Sequence, residues 1–416
     1  MSDMKDAVKP RLADPEWCTG CSACAASCRF GAIAMVSDDE GFLRPSIVIS
    51  RCVGCGACST ACPELYPVSR SDIPIEALAC WDKDGERRAS ATSGGVFMLL
   101  ADAVLGRGGW VCGAVFDDAF DVRHIVTRDR AIVESMRGSK YVQSDVATAL
   151  SVCADRLRAG ELVLFTGTPC QVAAMRKLSE KIPTGNLITV DVLCHGAPSP
   201  LFWREYRWFR EKESGSKITG ASFRKKDPSW TIFSMEMRFL DGSTRSWPTT
   251  DDLYLRAFLG DFISRPSCCK CPYVGTRRLG DLTLADFWGY VSESRCHRND
   301  ERGISLVLVD TQQGAKELAA ISESLVMVQK KLQEAIEGNG PLRLPFRANS
   351  RRDEFWSIFR KGGIEAVADD FLRPRYGSAK HSASLFFNNH AYLIPAVIRR
   401  SLISIRTMLT GGASKK

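Results

Sequence analysis

The sequence predicts a mixed α/β chain, α+β to α/β in class, with a small cysteine-built N-terminal module leading a larger mixed α/β domain. Three observations predict it. Two copies of the spacing C-x2-C-x2-C-x3-C lie within residues 1–75, offset by 34 residues. Further on, a short apolar strand, a glycine-bearing loop and a helix occur twice in succession, the pattern of parallel strands with crossover helices. A chain of 416 residues also needs a second core, because the small module alone buries too little.

The two cysteine runs are Cys18, Cys21, Cys24, Cys28 and Cys52, Cys55, Cys58, Cys62. Four thiolates hold a cubane of iron and sulfide. At this spacing three of them reach one cluster from a tight loop, and the fourth crosses to the other cluster. Cys18, Cys21, Cys24 and Cys62 are therefore expected to hold one 4Fe–4S cluster, and Cys52, Cys55, Cys58 and Cys28 the second. Zinc takes four ligands in two pairs, and a disulfide framework needs an oxidising compartment. Neither suits two runs of four. The stretch resembles a bacterial-type dicluster ferredoxin. Pro63 follows Cys62, but Arg29 follows Cys28, where that pattern has proline.

Composition narrows the class. Hydrophobic residues make up 45% and charged residues 25%, as in an ordinary globular protein. The first residues are polar and mixed in charge, so no secretory signal is expected. No apolar run approaches the length of about 18 residues that suggests a membrane span. Seventeen cysteines without an export signal point to a reducing cytoplasm and to metal ligation. The net charge of +8 comes from the tail: from Phe371 onward there are eight Lys or Arg and no Asp or Glu. The rest is near balance and carries no nucleic-acid motif, so no nucleic-acid partner is expected. The tail admits weak peripheral membrane contact on an anionic surface. A docked C-terminal helix with solvated arginines is the preferred reading.

In chain order, Ala32–Val36 and Phe42–Pro45 read as a hairpin, and Tyr66–Pro74 as a linker. Ser93, Gly94 and Gly95 open a helix at Val96. Free N–H groups at such an end can hold a phosphate, although on these residues alone plain capping is preferred. Strands follow at Trp110–Phe116 and His124–Thr127, and a helix at Ala147–Leu157. The strand Glu161–Phe165 leads through Thr166, Gly167, Thr168, Pro169, Cys170 and Gln171 into a helix at Val172–Leu178. The strand Leu187–Leu193 leads through Cys194, His195 and Gly196 into a helix at Leu201–Arg210. Ligands of open α/β sheets bind at the carboxyl ends of strands, where Cys170 and Cys194 fall. Strands at Ile218–Arg224, Thr231–Leu240 and Thr244–Trp247 follow, with a turn at Asp241-Gly242. Next come a helix at Leu253–Phe262, a polar loop at Ser292–Arg302, a strand at Ile304–Val309 and a helix at Gln313–Ser322. The expected parts are residues 1–75, 76–350, and a basic helical extension over 351–416.

Nine cysteines lie outside the two runs. Cys80, Cys112 and Cys153 sit in apolar patterns and read as small buried hydrophobes. Cys296 lies in the polar loop. Cys170 and Cys194, with the C-x2-C of Cys268 and Cys271, make four, the number a cubane or a zinc ion needs. Cys269 is an alternative to Cys268.

Five motifs in this order carry a family likeness: Ala91-Thr-Ser-Gly-Gly95, Thr166-Gly-Thr-Pro-Cys-Gln171, Cys194-His-Gly-Ala-Pro-Ser199, Cys268-x2-Cys271 and Asp286-Phe-Trp-Gly289. They resemble the coenzyme F(420) hydrogenase/dehydrogenase beta-subunit family, from the cysteine module to about residue 345. Relatives include deazaflavin-reducing hydrogenase and formate dehydrogenase subunits, a plant hydroxymethyl-chlorophyll reductase, and bacterial proteins encoded beside polysaccharide-synthesis genes. The resemblance implies a flavin/iron–sulfur domain with FAD and a third cluster on Cys170, Cys194, Cys268 and Cys271. It implies flavin contacts from Ser93, Gly94 and Gly95, with Thr166, Gly167, Thr168, Pro169 and Gln171 beside the flavin. The implied function is an iron–sulfur flavoprotein oxidoreductase. It passes electrons between ferredoxin-type clusters and FAD, and on to an organic acceptor, either a deazaflavin-type coenzyme or a pathway intermediate, as in polysaccharide biosynthesis.

Pairing a flavin with one-electron clusters converts between carriers. His195 is a candidate proton donor, weighed equally against a structural histidine, and Asp286 is a weaker relay candidate. The alternatives are a non-catalytic electron-transfer subunit docked on a partner enzyme, and a degenerate redox fold serving as an assembly factor. A redox partner protein, such as a ferredoxin or a hydrogenase or dehydrogenase subunit, is expected beside a small-molecule acceptor.

Overall fold

The computed structural model describes residues 10–70, 74–227, 229–291 and 299–373. Cys296 and the basic tail lie outside the described residues. The N-terminal module holds α1 (Ala23–Ala26), β1 (Ile33–Ser37), β2 (Leu43–Ile47) and α2 (Ala57–Thr60). β1 and β2 form the expected antiparallel hairpin, with Ile33 opposite Ile47. Left-handed residues precede each short helix: Ser22 at φ 63° and, 34 positions later, Gly56 at φ 74°. That conformation costs a residue with a Cβ about 1–2 kcal/mol. Its recurrence in both halves turns the chain tightly between successive cysteines.

The hairpin tip ties the module to the larger domain. Ser199 Oγ donates to the Glu40 carbonyl and also accepts from Phe202 N, capping the next helix. The Glu40 carboxylate pairs with Arg352, both mostly buried. Gly41, at φ 84°, packs so closely that a Cβ would strike the backbone of Leu201.

The larger domain runs β3 (Glu76–Asp82), α3 (Gly85–Ser90), α4 (Val96–Gly106), β4 (Trp110–Phe116), β5 (Val122–Thr127), α5 (Arg130–Ser135), α6 (Ala147–Arg158), β6 (Val163–Gly167), α7 (Pro169–Ser179), β7 (Leu187–Val192) and α8 (Pro200–Ser214). It continues through β8 (Ile218–Lys225), β9 (Ser234–Phe239), β10 (Thr244–Pro248), α9 (Leu253–Leu259), β11 (Leu282–Asp286), β12 (Ser305–Val309), α10 (Gln312–Ala319), β13 (Leu325–Lys330), α11 (Leu332–Gly338) and α12 (Arg352–Val367). Eight strands form one sheet in the order β13-β3-β12-β11-β7-β6-β4-β5. Its centre, β11-β7-β6-β4, is parallel, and both flanks are antiparallel. The β6–α7–β7 unit is the crossover that the repeated pattern predicts. α4 packs on one face with Val96, Leu100 and Val104. α6 and α7 cover the other face with Leu150, Val172 and Met175.

β8, β9 and β10 form a second, antiparallel sheet, covered by an aromatic core of Phe202, Trp203, Tyr206, Phe223 and Tyr254. Phe355, Trp356 and Phe359 of α12, which follows the boundary expected at residue 350, are buried in that same core. β3, β11 and β13 are strands that the sequence pattern does not announce. β3 is buried on both faces, so it lacks the alternation that marks a strand in sequence. Cys80, Cys112 and Cys153 are fully buried, as expected.

Gly94 joins α4 to the sheet. Asp82 N donates to its carbonyl at 2.7 Å, and its own N–H donates to Ser305 Oγ at 2.9 Å. A Cβ there would overlap the Cys80 carbonyl. Gly94→Ala is expected to destabilise the protein by about 1–3 kcal/mol through overpacking, measured as a lower denaturation midpoint at unchanged slope.

Candidate iron–sulfur and cofactor sites

Cys18, Cys21, Cys24 and Cys62 line one cavity together with Met35, Pro45 and Glu64. These are the four cysteines assigned to one cluster, including the crossing Cys62. Cys24 lies within electrostatic reach of Cys18 and Cys62, and Cys58 within reach of Cys28, so the fourth cysteine of each run sits with the opposite half. The first set is termed proximal and the second distal. Burial pushes the Cys24 thiol up to about 12 and raises Cys21, Cys58 and Cys62. Such thiols stay protonated until a metal takes the proton's place.

Cys170 stands at the first turn of α7, just past β6, and Cys194 follows β7 by two residues. Cys268 and Cys271 belong to a tight turn after α9. The structure gathers these four. Cys194 senses Cys170 and Cys271, and Cys268 senses Cys194, Cys170 and Cys271. Cys269 senses Arg352 and Asp261. Burial raises Cys194 to about 12 and Cys271 to about 11. The tetrad adjoins the proximal set, because Cys21 senses Cys170. Among the described residues, no three His, Cys, Asp or Glu side chains form a group tight enough for a single ion. A four-iron cluster is a larger body, whose thiolates stand farther apart than the ligands of zinc.

The Thr166–Gln171 loop is spent on holding Cys170. Thr168 Oγ1 lies 3.2 Å from Cys170 Sγ, and Thr168 N donates to Gln171 Oε1 at 2.9 Å. Gln171 Nε2 donates to Ser144 Oγ at 2.8 Å. Ser144 meets His124 Nδ1 at 2.9 Å, and His124 Nε2 lies 3.1 Å from the Thr166 carbonyl. Gly167 packs on Gln171, and Pro169 opens α7. Burial lowers His124 to about 4, so the ring is neutral.

A large cavity opens on the same sheet edge, at Phe116 where β4 ends. Arg137, Lys140, Arg224, Lys225, Lys226 and Arg302 line it, with Glu236, Asp300, Glu301, Thr92 and Ser222. Its empty volume is about 1410 Å3, counted to the open mouth. Thr166, Gly167, Thr168, Pro169 and Gln171 are not on its wall. Ser93 reaches it indirectly, because Lys226 Nζ donates to the Ser93 carbonyl at 2.8 Å. Burial lowers Lys226 and Lys140 to about 7. Gly95, at φ 95°, is the first residue before α4. Asp286 has both oxygens engaged, one by Arg224 at 2.6 Å and one by Trp230 Nε1 at 2.8 Å. His195 pairs with Asp261 at 3.0 Å. Its ring touches Phe258, which touches Tyr141 next to the cavity. The basic wall escaped sequence reading, although the Arg224-Lys225-Lys226 run was a visible signal.

Residues 17–65 match the family described as 4Fe-4S dicluster domain. Residues 160–335 match the family described as the C terminus of the coenzyme F420 hydrogenase/dehydrogenase beta subunit. The larger domain is thus similar to the coenzyme F420 hydrogenase/dehydrogenase beta subunit over that stretch, with a dicluster domain in front. The chain is an electron-transfer iron–sulfur protein related to that oxidoreductase subunit. No curated protein matches it. Among solved structures, it aligns with a chain of the F420-reducing [NiFe] hydrogenase complex from Methanosarcina barkeri, determined in a xenon-derivatization study. Identity is 18%, the TM-score is 0.46, and the alignment covers 73% of this chain and 97% of that one. No helix among the described residues is long and apolar enough to cross a membrane.

The crossing of the fourth cysteines is open to direct test. Cys18→Ser and Cys62→Ser are each expected to remove the same cluster signal, and Cys28→Ser the other. Each variant loses about four of the about eight irons of the dicluster module, read by electron paramagnetic resonance and iron analysis. His124 gives a pH dependence, since its folded pKa is depressed below the unfolded value. Its contribution is fully present above about pH 6.5 and is lost as pH falls toward 4, because the unfolded chain binds the extra proton. The loss is on the order of 3 kcal/mol, and unfolding of His124→Gln across that window shows a flatter profile.

Proposed function

We propose that this protein is an iron–sulfur flavoprotein oxidoreductase. It passes electrons between the clusters of its dicluster module and FAD, through a third cluster on Cys170, Cys194, Cys268 and Cys271, and on to an organic acceptor. The observation that carries the reading is the gathering of these four cysteines. They adjoin the proximal set and share one edge of the parallel sheet with the basic cavity. Four thiols are the donor set a cubane takes.

The cavity suits a flavin dinucleotide. Its arginines and lysines match a diphosphate. Arg137 Nε and Arg224 Nε, of two wall residues, are buried polar atoms without partners, which a bound ligand would satisfy. A bound flavin exchanges hydride or single electrons and so joins two-electron to one-electron carriers. The chain supplies the surroundings. Arg137, Arg224 and Lys226 offset negative charge, and Asp286 with Trp230 fixes Arg224 in place. The Thr166–Gln171 loop orients Cys170. His195, held by Asp261, connects through Phe258 to Tyr141, the chain neighbour of the wall residue Lys140. Asp286 acts as an anchor for Arg224 in this reading and not as a relay. The acceptor is a deazaflavin-type coenzyme or a pathway intermediate such as one of polysaccharide biosynthesis.

A second reading is an electron-transfer subunit of a larger complex. The distal set favours it: Cys55 is exposed, and Phe30, Ile49 and Val53 beside its ligands are exposed large hydrophobics. A redox partner protein docking there would reach the distal cluster directly.

Anaerobic rapid mixing with a reduced one-electron donor tests the proposal. The wild type is expected to transfer electrons to its flavin. Cys194→Ser is expected to keep the flavin and the dicluster signals but lose that transfer. A variant that reduces its flavin at the wild-type rate would sink the route through the tetrad.

A further inference from the structure

A buried guanidinium joins the two iron–sulfur regions. Arg265 is fully buried and follows α9 in the larger domain, three residues before Cys268. Its side chain enters the N-terminal module. Nε donates to the Cys18 carbonyl at 2.9 Å, and Nη1 donates to the Leu43 carbonyl at 3.1 Å. Ser267 Oγ donates to the same Cys18 carbonyl at 3.0 Å. The third nitrogen, Nη2, is buried with no partner. No carboxylate makes an ion pair with Arg265 among the described residues. The side chain packs over the Phe42 ring and within electrostatic reach of Cys18 and Cys268 and of Cys170.

Space for it is built in. Gly20, between Cys18 and Cys21, has φ 70°, and a Cβ there would press on Arg265 Nη1 and Gln143 Nε2. An arginine buried without a carboxylate, with one donor unpaired, is an expensive arrangement. It becomes intelligible if the missing anion is the cluster itself, which carries net negative charge with its thiolates and gains another on reduction.

We propose that Arg265 is a positioning and tuning residue for the proximal cluster, its buried positive charge favouring the reduced form and raising that cluster's potential. A cation a few ångströms away in a poorly screened interior stabilises each added negative charge. The inference needs only the dicluster module, so it stands or falls independently of FAD and of the third cluster.

The test is a redox titration of the full-length, iron-loaded protein, followed by electron paramagnetic resonance. Arg265→Gln is expected to lower one of the two dicluster couples by at least tenfold in its reduction equilibrium, ~59 mV for one electron, leaving the other in place. Arg265→Lys is expected to keep most of the wild-type value. Ser267→Ala, which loses a contact to Cys18 but no charge, should leave both couples unmoved. An Arg265→Gln protein with full iron and unchanged potentials overturns the proposal, as does an equal shift in Ser267→Ala. If the Gln variant does not load iron, Arg265→Lys and Arg265→Met decide: similar volumes with different charge give different potentials if the proposal holds, and equal potentials if it does not.

Discussion

Desolvation of cysteine is the constraint on which the rest of the structure depends. A thiolate in a low-dielectric interior is costly unless something positive meets it. Cys21, Cys24, Cys194, Cys268 and Cys271 are all raised by burial. As free groups they are neutral and bind no metal. As cluster ligands they are deprotonated, so folding of these loops and cluster assembly are linked. The left-handed turns at Gly20 and Ser22, and at Gly54 and Gly56, bend the chain between successive cysteines of each N-terminal run. Arg265 and Ser267 clamp the proximal loop from the larger domain, so the two parts fold around one contact region.

From that region the sheet sets distances. Parallel strands β6 and β7 lie side by side, which brings the loops after them, and hence Cys170 and Cys194, to one edge. The turn holding Cys268 and Cys271 reaches the same edge from beyond α9. The basic cavity lies on this edge too, next to Phe116. Topology thus sets out a distal set with Cys55 exposed, a proximal set, a tetrad beside it through Cys21 and Cys170, and an open cavity at the end of β4.

The dicluster module was legible in the sequence because cluster geometry dictates cysteine spacing. The βαβ unit was legible from two glycine loops after apolar strands. The tetrad was visible only as fragments, since its members are brought together by strand order, which no local pattern records. The choice of Cys268 over Cys269 depends on which way a short 3-10 turn faces. The family resemblance implied that the Thr166–Gln171 loop lies beside a flavin. In the fold its polar atoms bond to Ser144, His124 and each other. The cavity wall drew on Arg137, Arg224 and Arg302 from separate elements, and Arg265 looked like an ordinary charged residue before a proline.

The central claim is that three sets of cysteines, not two, hold iron in line with a flavin. Metal and flavin analysis of one anaerobically prepared sample tests it most directly. The account predicts about twelve irons with matching sulfide per chain, one FAD and no zinc. About eight irons, no flavin and one zinc on the inner tetrad would contradict it, leaving a dicluster module joined to a fold that does no flavin chemistry.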